Sequence, residues 1–349
     1  MSVTPPEVRL ASVLHTFDLP LLEAHAVGGG FSGARVWRVR TATEQWVAVR
    51  CSESINEESL ERSIAISRWM SFARDHGCDW APEVWKVKFA RRAAAAGDYL
   101  LLQPDGVWKV ESWMPGHSVP AAPSPTRLQS AFAMLQQLHQ TARSWALDET
   151  SALGVPGNGG LRIASGTSPG LQRRLQIVQS LQSGELARLL ATAAEDPDSD
   201  FRCLAEQLGR ALKQRLTGLA AQLEDLAPRS FILQPVLRDL WYPHVLFSGD
   251  NVTGVIDWNA AATDHPAFDY SRLLASWYGQ QAIHRLPEHW TGLDCRLFQV
   301  CLDATLLLSP VTWLSRRCSK AVSKTAFNPQ VMERFRRLVE LATHIPVLS

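Results

Sequence analysis

The chain has almost no net charge to offer a polyanion: 35 Lys and Arg stand against 34 Asp and Glu, a formal +1. That balance argues against a nucleic-acid or membrane-surface binder. Long apolar runs are scarce too. The most apolar late stretch, Leu302–Leu314, is interrupted by Asp303, Ser309 and Pro310 and is too short to cross a bilayer. Met1 to Pro20 lack the basic-then-apolar pattern of a signal peptide. The six cysteines are scattered, and the nearest two, Cys295 and Cys301, have five residues between them rather than the two of a C-x-x-C site. Free thiols in a reducing cytoplasm are therefore expected. There is no internal repeat. What remains is an ordinary globular composition, 46% hydrophobic and 20% charged, with 349 residues to form one large domain or two moderate ones.

The chemistry concentrates in Val236-Leu237-Arg238-Asp239-Leu240-Trp241-Tyr242-Pro243-His244 and the run that follows to Ile256-Asp257-Trp258. Apolar runs at Phe231–Leu237 and Val252–Ile256, with the polar cluster Ser248-Gly249-Asp250-Asn251 between them, predict a β-hairpin flanked by Asp239 and Asp257. A hairpin returns its ends to one place, so both carboxylates are expected at one edge of one small sheet. Phosphoryl transfer by the kinase route needs such a pair. One carboxylate orients and deprotonates the attacking hydroxyl, and the other holds Mg²⁺ on the phosphates. An ordinary hairpin with charged ends is the bland alternative.

These residues resemble the catalytic core of the aminoglycoside phosphotransferase and choline kinase family, with its H-x-D-x-x-x-x-N motif, short hairpin and apolar strand ending in I-D-W. The resemblance implies that Asp239 is the catalytic base and Asp257 the metal-binding aspartate. Arg238 matches the arginine that protein kinases place before the base. His265-Pro266-Ala267-Phe268-Asp269-Tyr270 resembles the segment whose aspartate, here Asp269, supports the catalytic loop. Two positions depart: Leu237 replaces the motif's His, and His244 its Asn. An imidazole is a poorer Mg²⁺ ligand than an amide oxygen but a good one for Mn²⁺. His244 is thus a direct ligand, a partner through water, or a mark of lost catalysis.

The order of elements suits that family. Strand-like alternation at 21–27, 35–40, 45–50, 84–89, 98–103 and 107–113, with one helix over 56–76 capped by Ser54 or Asn56, predicts a β-rich lobe. A proline-rich connector at 120–125 follows, then helices at 126–143, 171–194, 201–225, 269–280, 293–317 and 329–343, with 144–170 an irregular loop. The expected fold is α+β, two-lobed and protein-kinase-like. Residues 1–113 are its nucleotide-binding N-lobe and 114–349 its helical C-lobe.

A glycine-rich turn, Gly28-Gly29-Gly30-Phe31-Ser32-Gly33, lies between two strands, where backbone amides can approach phosphate oxygens. No G-x-G-x-x-G leads into a helix, which argues against a dinucleotide fold. By resemblance, Gly29, Gly30, Ser32 and Gly33 position the nucleotide. Val47-Ala48-Val49-Arg50 stands where kinases read V-A-I-K, making Arg50 a phosphate ligand in altered geometry or a plain surface arginine. Its helix partner is one of Glu57, Glu58 and Glu61, and Glu61 shares a face with Leu60 and Ile64. Glu111 to Trp113, before Pro115-Gly116, resembles the adenine-binding hinge.

The implied function is ATP-dependent phosphorylation of a hydroxyl on a small molecule, assisted by Mg²⁺ or Mn²⁺, with no nucleic-acid or membrane partner. The alternative is a degenerate kinase-like nucleotide-binding or regulatory protein. Metal-dependent hydrolysis at His244, Asp239 and Asp257 suits the residue types but not the lobe order. The acceptor is open. Asp196, Asp198 and Asp200 suit a polycation or a solvated turn, and Trp241 beside the base is the candidate for an aromatic cage.

Overall fold

Alternation decides the first half of the chain. Arg35–Thr41 and Trp46–Ser52 turn Val39, Thr41, Val47, Val49 and Cys51 to a buried face and Arg38, Arg40 and Arg50 to the other, as a half-buried sheet requires. The structure, a computed structural model, describes residues 6–27, 34–53, 56–89, 95–96, 98–153, 161–286, 290, 292–319 and 329–343. Contacts divide the chain into two units. The first comprises Met1–Val119, Ser124–Ile163 and Pro243–Ala262, and the second Pro120–Pro123, Ala164–Tyr242 and Thr263–Ser349.

The first unit contains α1 (Pro6–Thr16), β1 (Leu21–Val27), β2 (Arg35–Thr41), β3 (Trp46–Ser52), α2 (Glu57–Asp75), β4 (Ala95–Ala96), β5 (Leu100–Gln103), β6 (Gly106–Ser112), β7 (His117–Ser118) and α3 (Pro125–Leu153). Six strands form one sheet in the order β1-β2-β3-β6-β5-β4, with Arg50 directly opposite Lys109. One face of this sheet is the unit's core. Val47, Val49, Cys51, Trp108 and Val110 pack with Leu10, Val13, Leu14 and Phe17 from α1 and the turn after it. That first helix was not expected from the sequence. The helix after β3 was, and the Asn56 side chain caps it by accepting from the Ser59 amide at 2.9 Å. Ser54, the other cap candidate, lies outside the described residues.

The strand expected at 84–89 is not formed. Val84 makes a single bridge to Glu111, and the amides beyond it bond individually: Trp85 to the Val110 carbonyl, Val87 to Asp98, Lys88 and Phe89 to Thr16. Those acceptors lie on three different segments, so no ladder can propagate.

The polar tip at 248–251 does turn a hairpin, but a shorter one than expected. Its strands are β10 (Val245–Ser248) and β11 (Asn251–Val255), in a sheet ordered β11-β10-β7. Gly116, at φ +100, lets the chain enter β7, because a Cβ there would lie 2.7 Å from the Phe247 carbonyl oxygen.

In the second unit, β8 (Ala164–Thr167), β9 (Ser230–Val236) and β12 (Ala262–Asp264) form a separate sheet ordered β12-β9-β8. The apolar run before Asp239 is therefore β9, not a hairpin strand. Asp239 and Asp257 follow strands of different sheets, which corrects the expectation of one shared sheet edge. The cause lies between them: Pro243 sits in a 3-10 turn, Tyr242–His244, that ends one segment before β10 begins.

Helices make up the rest: α4 (Pro169–Ser180), α5 (Leu186–Ala194), α6 (Ser199–Leu226), α7 (Ala267–Tyr278), α8 (Leu293–Cys318) and α9 (Pro329–Thr343). The expected irregular loop at 144–170 is mostly regular, since α3 runs to Leu153 and β8 and the start of α4 follow. Its residues 154–160 lie outside the described set. A single helix expected at 171–194 is broken at Gly184, whose φ is +117. Among the described residues, α8 is the one helix long and apolar enough to cross a membrane, and 83% of its most apolar window is buried within the protein.

Candidate active site

Asp257 sits in the first unit, just past β11, with a left-handed backbone (φ 62, ψ 58). Its neighbours enforce this conformation. The Ile256 amide donates to the His244 carbonyl at 2.9 Å. Trp258 is wholly buried, with its indole N–H on the Val255 carbonyl and its ring against Trp69 and Trp80. The aspartate is thereby turned outward from a rigid aromatic anchor. Its Oδ1 accepts from the Arg50 guanidinium at 3.2 Å and from the Asn259 amide at 2.7 Å, while Oδ2 lies 3.7 Å from His244 Nε2. Burial alone would raise the pKa of this carboxyl. Arg50, His244, Asn259 and Lys109 outweigh that and hold it below its ordinary value.

The expected partner of Arg50 is thus replaced: its ion pair is with Asp257, and Glu61 is exposed on α2. Glu58 pairs with Arg62 instead. On β6 the Lys109 ammonium lies 3.2 Å from the Glu111 carboxylate, both well shielded. Trp113, the other hinge candidate, donates its amide to the Trp46 carbonyl at 2.9 Å, and its ring faces the Arg38 guanidinium at 5.0 Å. That amide is already committed to the sheet. The glycine-rich turn with Gly29, Gly30, Ser32 and Gly33 lies outside the described residues.

Asp239 belongs to the second unit. Asp269, wholly buried at the start of α7, accepts the Leu237 amide at 3.0 Å and the Arg238 amide at 2.7 Å. Two main-chain bonds to one carboxylate fix the chain where Arg238 adopts φ 65, and Asp239 emerges from it with its side chain 43% exposed. It is the Arg238 backbone, and not its guanidinium, that these bonds use. Arg272, one turn along α7 from Asp269, donates to Asp239 Oδ1 from Nη2 at 3.0 Å and Nε at 3.3 Å. Leu237, in place of the motif's histidine, is buried apolar packing.

Trp241 is not open as an aromatic cage. It is buried, with the Arg334 guanidinium 3.4 Å from its ring centroid and Arg272 at 5.5 Å. The acidic turn is likewise occupied: Asp196 pairs with Arg317, Asp198 caps α6, and Asp200 pairs with Arg336.

Sequence reasoning missed Arg272, Asn259 and Lys109. Arg272 lies three residues beyond Asp269, a helical spacing that turns both toward one segment. Asn259 carried no signal beyond its nearness to Asp257. Lys109 did, because it alternates with Trp108 and Val110 on a strand and stands two residues from Glu111.

A strand-built unit with an arginine-paired aspartate after a hairpin, and a helical unit with a braced second aspartate, suit a kinase-like phosphotransferase. The chain belongs to the phosphotransferase enzyme family (APH), whose model matches residues 23–295. Solved structures of similar fold include a spectinomycin phosphotransferase in complex with ADP and spectinomycin, at TM-score 0.59 and 13% identity over 97% of each chain. The aminoglycoside 2′-phosphotransferase-IIIa in complex with GDP aligns at TM-score 0.55 and 15% identity, covering 97% of this chain and 99% of that one. A macrolide 2′-phosphotransferase of Brachybacterium faecium aligns at TM-score 0.52 and 16% identity, covering 98% of this chain and 99% of that one. At these identities the likeness is one of fold, and that fold is the expected protein-kinase-like α+β class. A homoserine kinase of Sinorhizobium fredii is 34% identical over 73 residues, 21% of this chain. The chain spans only 22% of that relative's length.

Proposed function

We propose that the chain transfers a phosphoryl group from ATP to a hydroxyl of a small molecule. The observation that carries this reading is the bracing of Asp239. A wholly buried carboxylate, Asp269, holds the two amides before it, and Arg272 grips its Oδ1, so a half-exposed acid is presented on a fixed backbone. A surface aspartate with no task needs no such support.

In this reading Asp239 orients the acceptor hydroxyl and takes its proton, and Arg272 sets the direction of the carboxylate. Asp257, with Asn259 and His244, would hold Mg²⁺. The donor set fits: Asp257 supplies a charged carboxylate, Asn259 an amide oxygen, and His244 an imidazole nitrogen that also suits Mn²⁺. Among the described residues no three His, Cys, Asp or Glu side chains gather as a metal cage, so water and phosphate oxygens would complete the coordination. When bound, the cation neutralises charge on the phosphate oxygens. The six free cysteines support a cytoplasmic setting.

The runner-up, a nucleotide-binding protein without turnover, has one observation in its favour: Asp257 Oδ1 is already bonded to Arg50 and Asn259. The separating test is ADP release across hydroxyl acceptors, from amino alcohols such as homoserine to aminoglycosides and macrolides, in Mg²⁺ and in Mn²⁺. Acceptor-dependent turnover is expected, falling at least about 100-fold in Asp239→Asn. Metal-dependent ATP binding with no turnover on any acceptor would favour the runner-up, and turnover unchanged in Asp239→Asn would remove Asp239 as the base.

A further inference from the structure

Arg50 stands at the end of β3 where a phosphate-binding cation was expected, yet its guanidinium is committed to Asp257 at 3.2 Å. The helix glutamate expected beside it is displaced as well. Glu61 is exposed, and the α2 side chain that lines a cavity with Arg50 is Ser63.

One strand over, the missing charges reappear. Lys109 on β6 is the direct cross-strand partner of Arg50, and Glu111 is the partner of Ala48. Directly paired residues, and residues two apart on a strand, share a face. Arg50, Lys109 and Glu111 therefore stand together, on the face away from the Val47, Val49, Trp108 and Val110 core. Lys109 is only 7% exposed, and its ammonium lies 3.2 Å from Glu111. Burying an ammonium and a carboxylate in a sheet costs more than burying two aliphatic side chains of similar volume. Such a pair calls for a use.

The cavity supplies one. Arg50 and Lys109 line it together with Ser52, Ser63 and Asn259, beside Leu100 and Val107. Two cations, two hydroxyls and an amide suit anionic oxygens, and no described carboxylate lines it. The two cations also differ in kind. A planar guanidinium fork suits a fixed carboxylate, whereas a compact ammonium on a flexible stem suits phosphate oxygens whose positions change during transfer.

We propose that Lys109, one strand removed from the expected position, is the lysine that binds the nucleotide's phosphates, with Glu111 as its anchoring carboxylate, while Arg50 serves Asp257. This rests on the nucleotide-binding reading above.

The test begins with the unaltered chain and an acyl-phosphate derivative of ATP. An amine held near the phosphates attacks the acyl carbon and the carbon–oxygen bond to phosphate breaks. ATP leaves with the electron pair, the amine's proton passes to solvent, and an amide remains on the lysine. The chain has six lysines, so mass spectrometry assigns the site directly. Acylation of Lys109, suppressed by excess Mg·ATP, is expected. If calorimetry shows that ATP binds while Lys109 stays unlabelled, the proposal fails and the nucleotide reading stands.

Lys109→Met gives the second readout: affinity for ATP falls at least about tenfold while affinity for AMP stays within about twofold. A purely structural ion pair would move both alike or neither, and either result overturns the assignment. Should this variant fail to fold, the labelling experiment decides alone. A wild-type chain that binds no nucleotide in Mg²⁺ or Mn²⁺ overturns the nucleotide reading and this proposal with it.

Discussion

At the scale of single residues, the site is built from carboxylates whose surroundings differ sharply. Asp269 is wholly buried and accepts two main-chain amides, whereas Asp239, two residues beyond the first of them, is half exposed. Asp269→Ala would leave both amides without their acceptor, and each such loss costs about 1–3 kcal/mol. It would also release the left-handed conformation of Arg238. A stability loss of about 3 kcal/mol is expected in urea unfolding, against less than about 1 kcal/mol for Asp239→Ala, whose side chain stays in contact with water. Equal losses would mean that Asp269 is not the brace. Glu61 makes the opposite case. It is exposed and Arg50 is bound elsewhere, so Glu61→Gln is expected to change nucleotide affinity less than about twofold by calorimetric titration. A tenfold loss would restore the helix glutamate to the site.

At the scale of elements, one contact tests how the helices of the second unit are held. Asp196, in the turn between α5 and α6, receives Arg317 Nε at 2.8 Å and Nη2 at 3.0 Å from the last turn of α8. The bond to Arg317 holds the Asp196 carboxyl below its ordinary value of 3.8. A depressed folded-state pKa gives stability that is present above the unfolded value and lost as pH falls through the folded one. Asp196→Asn is therefore expected to cost about 2–3 kcal/mol near neutral pH, with the gap to wild type closing only below about pH 4. A gap that closes above pH 5 would assign the effect to another group. The sequence displayed this turn as three acids with no visible partners, because Arg317 lies 121 residues away. Separation of that kind marks the limit of legibility. Strands with strict alternation, β1 to β3, and helices with apolar stripes, α7 to α9, were readable from local pattern alone. The segment at 84–89 alternates just as well, but its amides bond to acceptors scattered over three segments, which no local pattern encodes. The aspartates Asp239, Asp257 and Asp269 could be picked out by motif. Arg272 and Lys109, which complete their surroundings, arrive through helix phase and strand register.

At the scale of the whole molecule, the chain forms two compact units interleaved along the sequence, each with its own core. Single-transition unfolding is not guaranteed for such an architecture. The residues assigned to nucleotide and cation, Arg50, Lys109, His244, Asp257 and Asn259, all belong to the first unit, whereas Asp239, Asp269 and Arg272 belong to the second. A ligand stabilises what it binds by RT ln(1 + [L]/Kd), about 2.7 kcal/mol at a hundred times Kd. For a unit of 150–250 residues, that corresponds to a rise in Tm of about 5–10 °C. Calorimetric scans with saturating Mg·ATP are therefore expected to raise the transition of the first unit by that amount. If the units melt separately, the second transition should move less. Lys109→Met should cut the shift to about half or less with ATP at the same concentration, because a tenfold loss of affinity at a hundred times Kd leaves about 1.4 kcal/mol. Should nucleotide raise only the transition of the helical unit, the phosphate contacts would have to be sought among the arginines near Asp239, and the division of labour between the units would be reversed.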